Sequence, residues 1–175
     1  MAHIPYSDLG DPAAIALVDQ IVAERGSVLH LYQMLLHSPP LTEGWLAFLT
    51  AIRQKLELAG SLRELVIIRI AILNGASYEA EQHAPIALAE GLSQAQVDAL
   101  ADWEKATVFD RVQRLALQLT DAITRDVAAP PHLVGEARDA LGTRQCVELV
   151  ATIAAYNMVS RFLESFHIHS TDARP

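Results

Sequence analysis

Apolar side chains recur along this chain with a helical period. Ile15, Leu17, Val18, Ile21 and Val22 follow the i, i+3, i+4, i+7 spacing that lays a stripe along one face of a helix. Val28, Leu29, Leu31, Leu35 and Leu36 begin a second helix, which Ser38-Pro39-Pro40 must stop, because proline lacks an amide hydrogen and restricts its predecessor. Residues 42–58 predict a third helix. Residues 61–73 predict a fourth, closed by the cap pair Asn74-Gly75, and residues 77–90 a fifth, ending at Gly91. Ser93 opens a short sixth with Gln96 completing a capping box. Residues 106–123 form a seventh. Pro130-Pro131 starts an eighth that ends at Gly142, and residues 143–166 form the last and longest. No segment shows sustained strand alternation, and no repeat of fixed period is present. The predicted fold class is all-α.

The fourth helix stands apart. Leu62, Leu65, Val66, Ile67, Ile68, Ile70, Ile72 and Leu73 cover almost its whole circumference, as in a helix buried on all sides. Glu64 and Arg69 lie in the same stretch. A buried charge is costly unless paired, so both require partners.

Composition narrows the class. The 175 residues suit one domain spanning 1–175, large enough to fold without disulfides or metal. Apolar residues make up 51% and charged residues 19%, which excludes a disordered chain and leaves an apolar surplus that a subunit interface could cover. The net charge of −8 without a basic stripe argues against nucleic acid as a partner. The single cysteine, Cys146, allows no disulfide framework and no CxxC site. The first residues lack the basic and apolar regions of a signal peptide. The longest apolar run, 149–159, is well short of the ~20 residues of a membrane span. These features predict a soluble, cytoplasmic protein with no membrane partner.

Few side chains offer chemistry. Glu79 and His83 are four apart on a predicted helix, hence on one face, where a carboxylate can hold an imidazole and raise its basicity. The same spacing also suits an ordinary exposed face beside Glu81 and Gln82. Glu64 completes Ser61-Leu62-Arg63-Glu64, a capping-box pattern at a first helical turn. His167 and His169 could bind a metal but lie in a polar tail, and His30 and His37 read as packing histidines on an apolar helix. Cys146 reads as a small buried residue. Tyr156 and Asn157 interrupt an apolar helix and need partners or a pocket to face. No ExxH, HExxH, P-loop, GxGxxG or GxSxG motif occurs.

The run Leu62-Arg63-Glu64-Leu65-Val66-Ile67-Ile68-Arg69, then Asn74-Gly75-Ala76-Ser77-Tyr78-Glu79-Ala80-Glu81-Gln82-His83, then Ala89-Glu90-Gly91-Leu92-Ser93, resembles the carboxymuconolactone decarboxylase-like superfamily, which includes the alkylhydroperoxidase D-like enzymes. Leu31-Tyr32-Gln33-Met34-Leu35-Leu36-His37-Ser38-Pro39 is similar to its N-terminal helix. Glu148-Leu149-Val150 and the later Tyr156-Asn157-Met158-Val159-Ser160-Arg161-Phe162 are similar to its last helix. The resemblance covers about residues 28–166. It implies an alkylhydroperoxidase D-like multi-helix domain and a homo-oligomer, a trimer or a hexamer of trimers.

In the peroxidase branch a Glu and a His accompany a CxxC pair. That resemblance places the Glu at Glu64, the His at His83, and the two cysteines at Ala76 and Glu79. A thiol peroxidase needs a thiolate nucleophile, so this chain is not expected to be one. The decarboxylase branch likewise lacks the cysteine pair and keeps a His on this helix, though in a different motif from this one. The residues then imply cofactor-independent proton transfer on a small carboxylated lactone or related carbonyl compound: decarboxylation, isomerisation or lactone hydrolysis. His83 would be the general acid/base, Glu79 would orient it or share the proton, and Glu64 would fix its tautomer. Tyr78 and Tyr156 would contact substrate. The alternatives are a non-catalytic oligomeric protein that binds a small ligand, and a metal-site enzyme using Glu64, Glu79 and His83.

Overall fold

A computed structural model describes residues 1–12 and 14–174. Among these residues there are eight α-helices and a 3-10 segment, and no strand. The helices are α1 (Ile15–Arg25), α2 (His30–Leu35), α3 (Pro39–Gln54), α4 (Gly60–Asn74), α5 (Ser77–Ala89), α6 (Gln94–Ala99), α7 (Arg111–Asp126) and α8 (Pro131–Phe166), with the 3-10 segment Leu100–Lys105 between α6 and α7.

The chain divides into two compact units: Met1–Lys55 with Leu163–Pro175, and Leu56–Phe162. In the first, α1 packs on α3 and α2 on α3. The Ser38-Pro39-Pro40 stop is also a start. Pro39 and Pro40 occupy the first two positions of α3, where an absent amide hydrogen costs nothing, so α3 begins earlier than the predicted residue 42. The chain ends meet in this unit. Tyr6 donates its hydroxyl to Oδ2 of Asp172 at 2.7 Å, and Nε2 of His30 lies 3.1 Å from the Asp172 carbonyl oxygen.

The second unit is organised around α4. Every residue from Leu62 to Ala71 is buried, as its all-round apolar pattern predicts. Helix α4 packs on α5, on α7 and on the 3-10 segment. Gly75 closes it at φ 72°, donating its amide hydrogen to carbonyl oxygens of Ala71 and Ile72; the left-handed cap is a conformation glycine adopts without steric cost. Helix α7 buries Leu115, Leu117 and Leu119 and begins with a reciprocal capping box between Asp110 and Gln113. It therefore starts at Arg111, five residues after the periodicity suggests. Helix α6 carries the predicted Ser93 and Gln96 box. Helix α8 is broken at Gly142 (φ 83°, ψ 161°), where the two predicted helices meet.

By length and hydropathy α8 could cross a membrane, but 61% of its most apolar window is buried inside the protein, as in the core helix of a soluble protein.

Arg69 finds the partner its position demands. Its guanidinium donates from Nε and Nη2 to the two Asp121 carboxylate oxygens, each at 2.7 Å, and from Nη1 to the carbonyls of Leu100 and Ala101. Trp103 Nε1 lies 3.4 Å from the same carboxylate. One buried fork thus ties α4 to α7 and to the 3-10 segment.

Candidate active site

Glu64 projects from the second turn of α4 and is fully buried. It does not cap the helix. Helix α4 begins at Gly60 with Ala59 as its N-cap, and no side chain satisfies the cap, so the Ser61 capping box read from the sequence is not formed. The helix starts two residues too early for Ser61 to occupy the cap position. The Glu64 carboxylate is spent elsewhere.

Oε2 of Glu64 lies 2.6 Å from Nδ1 of His83 on α5, and Oε1 accepts the Arg63 Nε–H at 2.9 Å. Burial pushes the Glu64 carboxyl up, but the hydrogen bonds and charges of His83 and Arg63 outweigh it, so its pKa is held below the usual carboxylate range. Glu64 is therefore an anion at neutral pH. A carboxylate can only accept, so the proton in this bond sits on His83 Nδ1, and the basic lone pair of the neutral imidazole is on Nε2.

The chain of contacts continues outward. Arg63 donates from Nη2 to Oε1 of Glu90 at 2.8 Å. Burial pushes the Arg63 guanidinium down, and the bonds to Glu64 and then Glu90 more than reverse this, so the cation is held firmly charged.

The remaining predicted site residues lie in the same unit. The Tyr156 ring on α8 meets the His83 imidazole edge-on, with centroids 5.1 Å apart and planes at 89°. Tyr78 and Glu79 lie in the first turn of α5, and both are buried. Glu79 stands one turn before His83 on the same helix, but the orienting bond on Nδ1 comes from Glu64. The exposed-face reading of Glu79 and His83 is overturned: Glu79 is 2% exposed and His83 7%. Pro85, one position past Ala84, interrupts the hydrogen-bond ladder of α5 within a turn of His83.

Among the described residues no group of three or more His, Cys, Asp or Glu side chains forms a set that could hold a metal ion. The three-ligand site of Glu64, Glu79 and His83 is thus not formed; Glu64 is turned onto Arg63 and the imidazole.

Other candidates fall outside the site. Asn157 is saturated: it donates to Thr124 Oγ1 and the Ile153 carbonyl and accepts from Asn74 and Arg161. Cys146 is a buried free thiol, 3.8 Å from the Val134 carbonyl. In the other unit His30 is buried and His37, which meets the Pro5 carbonyl at 2.8 Å, is exposed. The His169 ring lies edge-on to that of His167.

Sequence reasoning missed Arg63 and Glu90 as members of this cluster. Adjacent helical residues point about 100° apart, so periodicity separates Arg63 from Glu64, and only the length of the arginine side chain lets it turn back. Glu90 is 27 residues from Arg63, and no spacing rule links them.

Residues 39–122 match the carboxymuconolactone decarboxylase family. The fold is shared with several solved structures. An alkylhydroperoxidase AhpD core protein from Ralstonia eutropha JMP134, described as an uncharacterized peroxidase-related protein, is 18% identical; the match covers 98% of this chain and 93% of that one, with a TM-score of 0.83. The debrominase Bmp8, in a variant bound to 2,3,4-tribromopyrrole, is 14% identical over 99% of this chain and 93% of that one, with a TM-score of 0.81. An uncharacterized peroxidase-related protein from Silicibacter sp. TM1040 is 14% identical over 95% and 92%, with a TM-score of 0.80. No curated protein matches the sequence significantly. In sequence over residues 39–122, and in fold over nearly its whole length, the chain is similar to the carboxymuconolactone decarboxylase and alkylhydroperoxidase D-like superfamily.

Proposed function

We propose that this protein is a cofactor-independent acid–base enzyme acting on a small carboxylated lactone or related carbonyl compound. The observation that carries the reading is the 2.6 Å contact between Glu64 Oε2 and His83 Nδ1. It leaves proton exchange with a substrate to Nε2, on an imidazole whose cationic form a buried carboxylate stabilises. In a decarboxylation the C–C bond electrons pass into the adjacent unsaturated carbonyl, carbon dioxide leaves, and the His83 imidazolium returns a proton to carbon. In an isomerisation the same nitrogen removes a proton from one carbon and delivers it to another. Positioned proton transfer contributes roughly 10²–10⁴-fold in rate. Glu64 orients His83, Glu79 is the group that shares its proton during turnover, and Tyr78 and Tyr156 contact the substrate.

The reading excludes thiol peroxide reduction. Ala76 and Glu79 stand at the positions where the peroxidase branch has cysteines, and Cys146 is buried without a second thiol in the chain. We place the protein in the cytoplasm as a trimer or a hexamer. Exposed Leu41 and Phe48 on α3 support an assembly, being apolar and one heptad apart on the helix.

The near-complete burial of Glu64, Glu79 and His83 favours a second reading, a binding protein in which this cluster is structural. Proton NMR in deuterated water separates the two, with a panel of carboxylated lactones, β-keto acids and enones given to wild type and His83→Ala. Solvent exchange or loss of carbon dioxide in wild type alone is the expected result. Full turnover by a folded His83→Ala protein would overturn the assignment, and saturable binding that is unaffected by this substitution and brings no turnover would favour the binding protein.

A further inference from the structure

Glu90 sits at the C-terminal end of α5, where its charge opposes the helix dipole. Its side chain nevertheless folds back over the first turn of α4. A Cβ at Gly60, the first residue of α4, would collide with the Glu90 carboxylate, so this approach exists because residue 60 is glycine. There Glu90 Oε1 takes the Nη2–H of Arg63 at 2.8 Å, while Arg63 Nε binds Glu64 Oε1 at 2.9 Å. Four side chains from two helices therefore run in series, Glu90 to Arg63 to Glu64 to His83, from a 41%-exposed carboxylate to a buried imidazole.

We infer that Glu90 is a positioning residue: it holds Arg63 in the geometry that presents the Glu64 carboxylate to His83 Nδ1, and it shares the Arg63 charge so that Glu64 is not fully neutralised. The inference rests on the acid–base reading of His83 for its effect on turnover, but its physical content does not. The imidazole meets Glu64 from α4 and the Tyr156 ring from α8, with Arg63 behind Glu64 on α4, while Tyr78 and Glu79 are buried earlier on its own helix. Arg63 is the one cation among them, and Glu90 competes with Glu64 for it. Removing Glu90 turns the whole guanidinium charge toward Glu64. The imidazolium loses part of its counter-charge, and His83 becomes easier to deprotonate.

The test is a pH titration of the His83 ring signals by NMR in the full-length protein, for wild type, Glu90→Gln and Gly60→Ala. Glu90 is at the surface end of the series, so Glu90→Gln leaves the core intact. Its His83 midpoint is expected to fall by roughly half a pH unit, in line with one screened charge a few side chains away. Gly60→Ala keeps every charge and displaces the flexible Glu90 side chain from Arg63; its midpoint is expected to fall by less. The limb of the turnover profile that His83 governs, basic for a decarboxylation and acidic for an isomerisation, should move with the titration. A His83 midpoint unmoved in Glu90→Gln overturns the inference. A midpoint that falls in a protein with no turnover on any substrate leaves this inference standing and counts against the acid–base enzyme alone.

Discussion

His83 Nδ1 lies 2.6 Å from Glu64 Oε2, across 19 residues of sequence and between two packed helices. The contact joins a fully buried carboxylate to an imidazole that is 7% exposed. A carboxylate so placed is tolerable because Arg63 and His83 both donate to it. That pairing dictates how the site responds to substitution.

Glu64→Gln keeps the shape and removes the charge. The amide cannot stabilise an imidazolium as the carboxylate does, and it leaves Arg63 with one anion in place of two. Turnover is expected to fall by roughly 10²-fold or more, with the His83 titration moved to lower pH. Steady-state kinetics and histidine NMR on one sample check both. Unchanged kinetics with a lowered titration would remove Glu64 from the catalytic path and keep its electrostatic role.

Peroxide reduction should be absent. Wild type and Cys146→Ala are expected to consume hydrogen peroxide or an organic hydroperoxide at the background rate with dithiol reductants. Cys146 is buried and alone, so no disulfide can form within the chain. Reduction above background that disappears in Cys146→Ala would show a thiol mechanism and overturn the exclusion.

Removing Arg69 should cost stability. Arg69→Ala leaves the buried Asp121 carboxylate with Trp103 and the more distant, half-exposed Arg125, 3.5 Å away, its bidentate partner gone. Breaking such a pair costs about 3–5 kcal/mol. Arg69→Ala with Asp121→Ala should lose less than the two single changes summed. Chemical denaturation of the four proteins measures the cycle, and full additivity would deny the coupling.

Acid should loosen the unit that holds the chain ends. Burial pushes the Asp172 carboxyl up, but the Tyr6 hydroxyl, the His169 amide and the N-terminal ammonium outweigh it and bring it down to about 2. A depressed carboxylate stabilises the fold above its unfolded value of about 3.9, and this contribution is lost as pH falls through the folded value. The melting temperature of Asp172→Asn should therefore lie below wild type at pH 6, with the gap closing between about pH 4 and pH 2. A gap independent of pH would show that the carboxylate charge is not what holds these ends together.

Much of the fold is readable from local rules. The all-round apolar helix, the Asn74-Gly75 stop, the Ser93 box and the break at Gly142 each follow from residues close in sequence. Boundaries moved where a local device competes with periodicity, as with Pro39-Pro40 at the start of α3 and the Asp110 box that delays α7. The site was legible in part. Glu64 and His83 could be named from the family pattern, and the need for a partner on Glu64 from burial alone. Which partner it takes was not, since the Ser61-Leu62-Arg63-Glu64 pattern fits a helix cap equally well.

Helical periodicity, capping chemistry and the one-cysteine count depend on the order of residues, and these settled the all-α class and the lack of an intrachain CxxC pair. Partner choice depends on distance in space. Packing α4 against α5 carried Glu64 to His83, put Arg63 between two carboxylates, and brought Glu90 over Gly60. A charge inside a low-dielectric core takes whichever counter-group the packing puts within reach, and that choice is made by helices that meet in three dimensions.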